Sequence, residues 1–99
     1  MTQDDIARLA AERPDFAAIA AWIPKGASVL DLGCGDGSLL RYLKETRAVR
    51  GYGVEINDLD IVSCIANGVN VIQNDLESGL SDFEDGSFDF VILSQTLQA

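Results

Sequence analysis

The stretch Val29-Leu30-Asp31-Leu32-Gly33-Cys34-Gly35-Asp36-Gly37 constrains the fold of this chain more than any other. Its apolar start reads as a buried strand that stops on an acidic residue and breaks into a glycine-rich turn. Ser38-Leu39-Leu40-Arg41-Tyr42-Leu43 then reads as a helix burying Leu39, Leu40 and Leu43. A strand, glycine turn and helix in that order form a small-molecule site. The turn lets a ligand approach bare backbone, and the helix N-terminus offers free N–H groups. The spacing is G-x-G-x-G with Asp31 two residues before the first glycine, whereas dinucleotide sites more often show G-x-G-x-x-G.

The flanking pattern extends this unit into an α/β fold. Thr2 with Asp5 predicts a helix start leading through Ile6, Leu9 and Ala10, with an interruption at Pro14. A second helix from Asp15 carries Phe16, Ile19, Ala20 and Ile23 on one face, with Trp22 beside the stripe and packed on the sheet. Pro24-Lys25-Gly26 ends this lead-in, so residues 1–24 form lead-in helices and 25–99 the main unit. Strands are predicted at 28–32, 52–55, 70–73 and 88–93. A helix over 58–66, with Leu59, Val62 and Ala66 inward, ends at Asn67-Gly68, and 78–87 form a loop anchored by Phe83. Strands alternating with helices imply right-handed βαβ units and a parallel sheet of order 3-2-1-4.

Composition narrows the partners. Seven basic against sixteen acidic residues leave a net charge of −9, which repels phosphate backbones and anionic bilayers and excludes nucleic acid and membrane surfaces. With no spanning apolar run and no signal segment, the expectation is a soluble, cytoplasmic protein. The two cysteines stand in no metal-binding spacing and the chain has no histidine, so no metal is expected. Cys64 reads as a small buried hydrophobe and Cys34 as a small residue the turn tolerates; without a histidine base, a nucleophilic Cys34 is disfavoured.

Ligands of such sheets bind at the carboxyl ends of the strands, beside the point where the order reverses. Polar or glycine residues stand at all four ends: Asp31 to Gly33, Glu55, Asn74-Asp75 and Ser94. Glu55 lies 22 residues after Gly33, where a carboxylate can accept both hydroxyls of a ribose, and Ile56 can lie against a purine. Asp75 can accept from an adenine amine, with the Leu76 N–H beside it for a ring nitrogen. The alternatives are a solvated strand-end acid for Glu55 and a loop or helix cap for Asp75. Asp31 has no apolar reason to end a buried strand, so it either accepts backbone N–H groups or binds a ligand ammonium. Gly33 and Gly35 admit a ligand, while Gly37 serves helix packing. Ribose, adenine and an ammonium-bearing tail without phosphates together describe S-adenosylmethionine. Asp36 sets negative charge where a pyrophosphate would lie, which disfavours NAD.

These residues resemble the class I S-adenosylmethionine-dependent methyltransferases, and more closely the MetW (methionine biosynthesis) family. The resemblance rests on Arg13-Pro14-Asp15-Phe16, Trp22-Ile23-Pro24, the glycine motif, Gly53-Val54-Glu55-Ile56, Gln73-Asn74-Asp75-Leu76 and the run from Phe88 through Ser94-Gln95-Thr96-Leu97-Gln98. It implies a Rossmann-like methyltransferase fold binding S-adenosylmethionine or S-adenosylhomocysteine. By matched position, Asp31, Gly33 and Gly35 would meet the methionine part, Glu55 the ribose, Asp75 and Leu76 the adenine, and Ser94 the sulfonium. It also implies a link to methionine synthesis with a homoserine O-acyltransferase (MetX), either through methyl transfer or as a non-catalytic, S-adenosylmethionine-sensing or activating partner. The pattern specifies no methyl acceptor and no catalytic residue. Class I methyltransferases carry seven strands, so four are expected to be the N-terminal half of such a domain, truncated after the fourth. Phe90 and Ile92 would then be uncovered, and two chains could pair through the exposed edge of strand four. An NAD-binding half or a βαβ domain with an empty crevice are the competing readings.

Overall fold

A computed structural model of the chain describes residues 1–75, 78 and 87–94. Phe83, Leu76 and the run 95–98 lie outside these residues. Helix α1 (Gln3–Glu12) opens with a capping box: Thr2 Oγ1 accepts from the Asp5 N–H, and the Asp5 carboxylate accepts from the Thr2 N–H, each at 3.1 Å. Pro14 begins α2 (Pro14–Trp22) in its first turn, where the missing N–H costs nothing. The expected stripe is inward: Phe16, Ala20 and Ile23 are buried and Ile19 half-buried. Trp22 departs from expectation. It is 83% exposed, because it lies off that stripe and the sheet is not its neighbour.

The sheet comprises β1 (Ser28–Leu32), β2 (Arg50–Glu55), β3 (Asn70–Gln73) and β4 (Phe90–Ile92), all parallel, in the order β3-β2-β1-β4. Helices α3 (Ser38–Arg47) and α4 (Asp58–Ala66) make the crossovers. This is the predicted topology, with its reversal between β1 and β4. In the register, Leu30 stands beside Tyr52 and Val91, and Val54 beside Ile72.

Strand β4 is shorter than predicted. Asp89 clamps β1 from outside the ladder, its carboxylate accepting from the Ser28 N–H at 2.9 Å and its own N–H donating to the Ser28 carbonyl at 3.0 Å. The predicted exposure of Phe90 and Ile92 is also corrected. Both pack half-buried against the main core, and it is Val91 and Leu93, on the opposite face, that are exposed.

One face of the sheet carries the main core. Val29, Leu39, Leu40, Leu43, Val49 and Cys64 form one cluster with Phe16, Ala20 and Ile23 of the lead-in helices. Arg47 ties these helices down through Nε, which donates to the Ala20 carbonyl at 2.9 Å. On the other face Leu30, Leu32 and Val54 are buried with Phe88 beside them. Helix α4 sits differently from the prediction: Leu59 is 79% exposed, Val62 and Ala66 are exposed, and Cys64 is fully buried. Its sequence is apolar on several sides, so periodicity alone does not select a face. Close approach to the glycine turn does: a Cβ on Gly37 would lie 3.1 Å from Cys64 Sγ. No helix among the described residues is long and apolar enough to cross a membrane.

Candidate functional site

Among the described residues three polar or charged side chains are buried, Asp31, Glu55 and Ser94, and all stand at or just beyond the carboxyl ends of strands. The topology brings them together beside the reversal of strand order.

The glycine turn is held from below. The N–H groups of Gly33 and Cys34 both donate to the Val54 carbonyl, at 2.8 and 3.2 Å, which locks the turn onto the end of β2. Gly35 takes a φ of +58°, a left-handed conformation that side chains rarely adopt, and a Cβ there would meet nothing within 4 Å. Its outer side is therefore open to a ligand. Asp36 Oδ1 accepts from the Ser38 N–H at 2.9 Å and from Ser38 Oγ at 2.6 Å, starting α3. Asn67, at the end of α4, braces the turn by donating to the Asp36 carbonyl and accepting from Arg41 Nη1, both at 2.9 Å.

Glu55 is 3% exposed, yet its carboxylate is well served. Oε1 accepts from the Gly35 N–H, and Oε2 from the N–H groups of Ile56 and Asn57, all at 2.9 Å. Three of roughly four lone-pair positions are thus taken, which leaves one for a ribose hydroxyl in this conformation, not the expected two. Ile56 is exposed beside it. Asp75 is exposed, and its Oδ1 accepts from the Ser78 N–H at 2.7 Å, the capping alternative; Leu76 lies outside the described residues.

Asp31 is the opposite case. It is 0% exposed, and neither carboxylate oxygen closes a hydrogen bond among the described residues; the hydroxyl and the backbone N–H of Ser94 lie close enough to stabilise its charge, and that hydroxyl likewise closes no bond among them. Burial pushes the Asp31 carboxyl up to about 6, with the Glu55 charge adding to the rise and Ser94 offsetting part of it. A buried carboxylate without donors is costly unless a partner arrives.

A cavity of about 500 Å³ opens beside the glycine turn, lined by Arg13, Phe16, Cys34, Asp36, Asp60 and, of the three buried groups, Ser94. A cavity of about 540 Å³ at the amino ends of the strands, beside Lys44, Arg50 and Tyr52, contains none of the unpaired buried groups. The chemistry therefore favours the carboxyl-end cavity.

Cys34 and Cys64 are free thiols with their sulfurs 3.7 Å apart, although 30 residues separate them in sequence. Burial raises both above the usual thiol range, as does the neighbouring Cys64 for Cys34, which removes a nucleophilic role. The described residues hold no cluster of three or more metal-ligating side chains.

Two features escaped sequence reasoning. A Cβ at Gly53 would lie 2.4 Å from Cys34 Sγ, so the turn packs on bare β2 backbone. The only local signal was the bracketing of Gly53 between strand residues. Arg13 and Asp15 also reach the cavity wall, and their visible signal was the Arg13-Pro14-Asp15-Phe16 run.

Comparison with known proteins agrees with this architecture. A curated relative from Rhodopirellula baltica, "Bifunctional methionine biosynthesis protein MetXA/MetW", is 41% identical over 93 residues, covering 86% of this chain. The chain spans only 15% of that relative's length. A SAM-dependent methyltransferase from Archaeoglobus fulgidus superposes with a TM-score of 0.61 at 30% identity, covering 87% of this chain and 35% of that one. Precorrin-6y C5,15-methyltransferase from Geobacter metallireducens gives a TM-score of 0.65 at 19% identity, over 77% of this chain and 45% of that one, a likeness of fold. The sheet is thus the Rossmann-like sheet of class I methyltransferases. The family described as "Methionine biosynthesis protein MetW" matches residues 13–99, and the chain belongs to that family.

Proposed function

We propose that this chain forms the S-adenosylmethionine-binding part of a methyltransferase-like protein of bacterial methionine biosynthesis that works in the cytoplasm. The observation that carries the reading is Asp31: a fully buried carboxylate with no hydrogen-bond partner among the described residues, beside the Ser94 hydroxyl, which lines a cavity of about 500 Å³. An ammonium-bearing ligand supplies the missing donors. The likeness to the SAM-dependent methyltransferase from Archaeoglobus fulgidus supports the same ligand.

S-adenosylmethionine brings a methyl group already activated by its sulfonium. This chain's own residues bind and orient. Asp31 receives the ammonium, the open side of Gly35 admits the ligand, and Ser94 lies toward the sulfonium. Glu55 has one lone pair left for a ribose hydroxyl while it keeps the turn in place. Ile56 covers one face of the purine, and Asp75 receives the adenine amine through the oxygen that does not cap Ser78, with Leu76 as its backbone partner. Gly33 belongs to the same approach. No side chain here is assigned a catalytic proton transfer, and an acceptor that needs a base must find it elsewhere in the complete protein.

The fused relative favours a second reading: a cofactor-sensing partner of homoserine O-acyltransferase that performs no transfer. One set of experiments separates these. Calorimetric titration of the complete protein with S-adenosylhomocysteine is expected to show binding, with no heat from NAD. Glu55→Ala is expected to weaken that binding by about 1 to 3 kcal/mol. Absence of binding, or a preference for NAD, refutes the site. Given binding, methyl transfer to any acceptor favours the enzyme, whereas copurification with the acyltransferase without transfer favours the sensor.

A further inference from the structure

We infer that the outer face of α4 is a docking surface for a protein partner with an apolar groove flanked by basic side chains, and that the homoserine O-acyltransferase is that partner. The inference rests on the second reading above and deepens it by naming the surface on which the acyltransferase is seated.

A helix packed on a sheet ordinarily turns its apolar stripe inward and its polar residues outward. In α4 the order is inverted. Leu59, Val62 and Ile65 are 79%, 64% and 65% exposed, with Ala66 exposed beside them. Asp60 and Ser63 are half-buried instead, and Cys64 fills the inner side. The glycine turn holds this inversion: a Gly37 Cβ would lie 3.1 Å from Cys64 Sγ, which leaves no room for a larger inward side chain. Leu59, Val62 and Ala66 recur at i, i+3 and i+7, with Ile65 alongside. That is the stripe by which a helix seats in an apolar groove, and contiguous exposed apolar surface marks an interaction site.

Charge selects the kind of occupant. The exposed Asp58 stands at the N-terminal end of the stripe, where its carboxylate accepts from the Gln73 side-chain amide. The chain as a whole carries a net charge of −9. A second copy would bring two surfaces of the same sign together, whereas a groove flanked by lysine or arginine is drawn to this one.

The inner side of the same helix braces the glycine turn along its length. The Glu55 carboxylate accepts both from the N–H of Asn57, the N-cap of α4, and from that of Gly35, each at 2.9 Å. Cys64 Sγ donates to the Gly35 carbonyl at 3.1 Å, and Asn67 Nδ2 to the Asp36 carbonyl at 2.9 Å. A partner seated on the outer side therefore rests on the element that holds the proposed cofactor turn, the connection a sensing role requires. Trp22 is as exposed, but it is a single side chain at the end of α2 and offers no such stripe.

The test uses the complete protein and the homoserine O-acyltransferase of the same organism, with their affinity read by biolayer interferometry. Unmodified protein is expected to bind, and to bind more weakly at about 0.3 M than at about 0.05 M salt, as surfaces of opposite charge do. Leu59→Gln combined with Val62→Gln is expected to weaken the complex about 10- to 100-fold. The melting temperature of that variant and its affinity for S-adenosylhomocysteine are expected to stay unchanged, because both side chains point away from the turn. Asp58→Lys is expected to flatten the salt dependence, and Trp22→Ala to leave the complex within about 2-fold. Undiminished binding by the double variant, or binding that strengthens with salt, would overturn the inference. So would a homodimer, seen by sedimentation of the protein alone, that the double variant dissociates, since a second copy would then cover the face. If the unmodified protein forms no complex with the acyltransferase, the second reading itself falls and takes this inference with it, a failure visible before any variant is made.

Discussion

Replacing Asp31 by Asn is expected to make the ligand-free protein more stable and its site worse. With the folded carboxyl near 6 and an ordinary carboxyl near 3.8, each pKa unit between the two states is worth about 1.4 kcal/mol. The sign follows from the proton count. Between the two values the folded state holds the proton that the unfolded state has released, so stability falls as pH rises through this window. The loss is about 0.5 kcal/mol near pH 4, where the folded carboxyl is protonated and the unfolded one only a little more than half ionised, and reaches about 3 kcal/mol by pH 7.5. Asn keeps the shape of the protonated acid and never ionises, so it escapes the loss. Urea denaturation reads this directly. With a slope of about 1 to 3 kcal/mol per molar urea, Asp31→Asn is expected to raise the midpoint by roughly 1 to 3 M at pH 7.5 and to leave it almost unchanged near pH 4. Affinity for S-adenosylhomocysteine is expected to move the other way, because the ammonium loses its carboxylate. Stability sacrificed at one residue for binding is a common signature of a functional position. A variant less stable at pH 7.5, or a gain that does not change with pH, would refute the reasoning, since it would mean that the carboxylate has donors in the folded state.

Two further expectations concern the packing beneath the turn. Gly53→Ala places a Cβ at 2.4 Å from Cys34 Sγ and is expected to lower stability by about 1 to 3 kcal/mol; Cys34→Ala in the same chain should restore part of it, and an undisturbed melting temperature for the single variant would contradict the close approach. Cys34 and Cys64, buried and with raised thiol pKa values, are expected to react with a disulfide reagent at pH 8 only as fast as the protein unfolds; reaction of the native protein at the rate of an exposed thiol would show that the pair is reachable.

What was legible in the sequence follows physical period and punctuation. The strand-turn-helix unit at 28–47 was readable because apolar residues, glycines and a fresh apolar stripe succeed one another with no competing pattern. The sheet order followed from handedness once the elements were placed. In helix α4 periodicity no longer selects a face. Leu59, Val62, Ile65 and Cys64 are all apolar, and the choice of Cys64 as the buried one was made by the bare backbone of Gly37 and the sulfur of Cys34, contacts distant in sequence. Trp22 misled for a related reason: a large aromatic beside an apolar stripe suggests packing, but one helical position decides its exposure. The shortened β4 reflects Asp89, whose side chain takes up a backbone partner that a ladder would otherwise have used.

The two buried acids of the site were equally visible in the sequence and turn out to do different work, and the difference lies in where the donors are. Glu55 ends β2 directly before a helix start, so the N–H groups of Ile56 and Asn57 point back at its own carboxylate, and the turn adds that of Gly35. Its charge is satisfied without a ligand, and it holds the apo turn in shape. Asp31 ends β1 before a turn whose N–H groups face away: those of Gly33 and Cys34 are spent on the Val54 carbonyl, and that of Gly35 on Glu55. The hydrogen bonds that fix the turn therefore leave none of these three N–H groups for Asp31. The turn's rigidity and the vacancy at Asp31 are one arrangement. On the proposed reading, a ligand ammonium at Asp31 would restore the missing donors without loosening the turn, and this strand end, not its neighbour, is where that charge is needed.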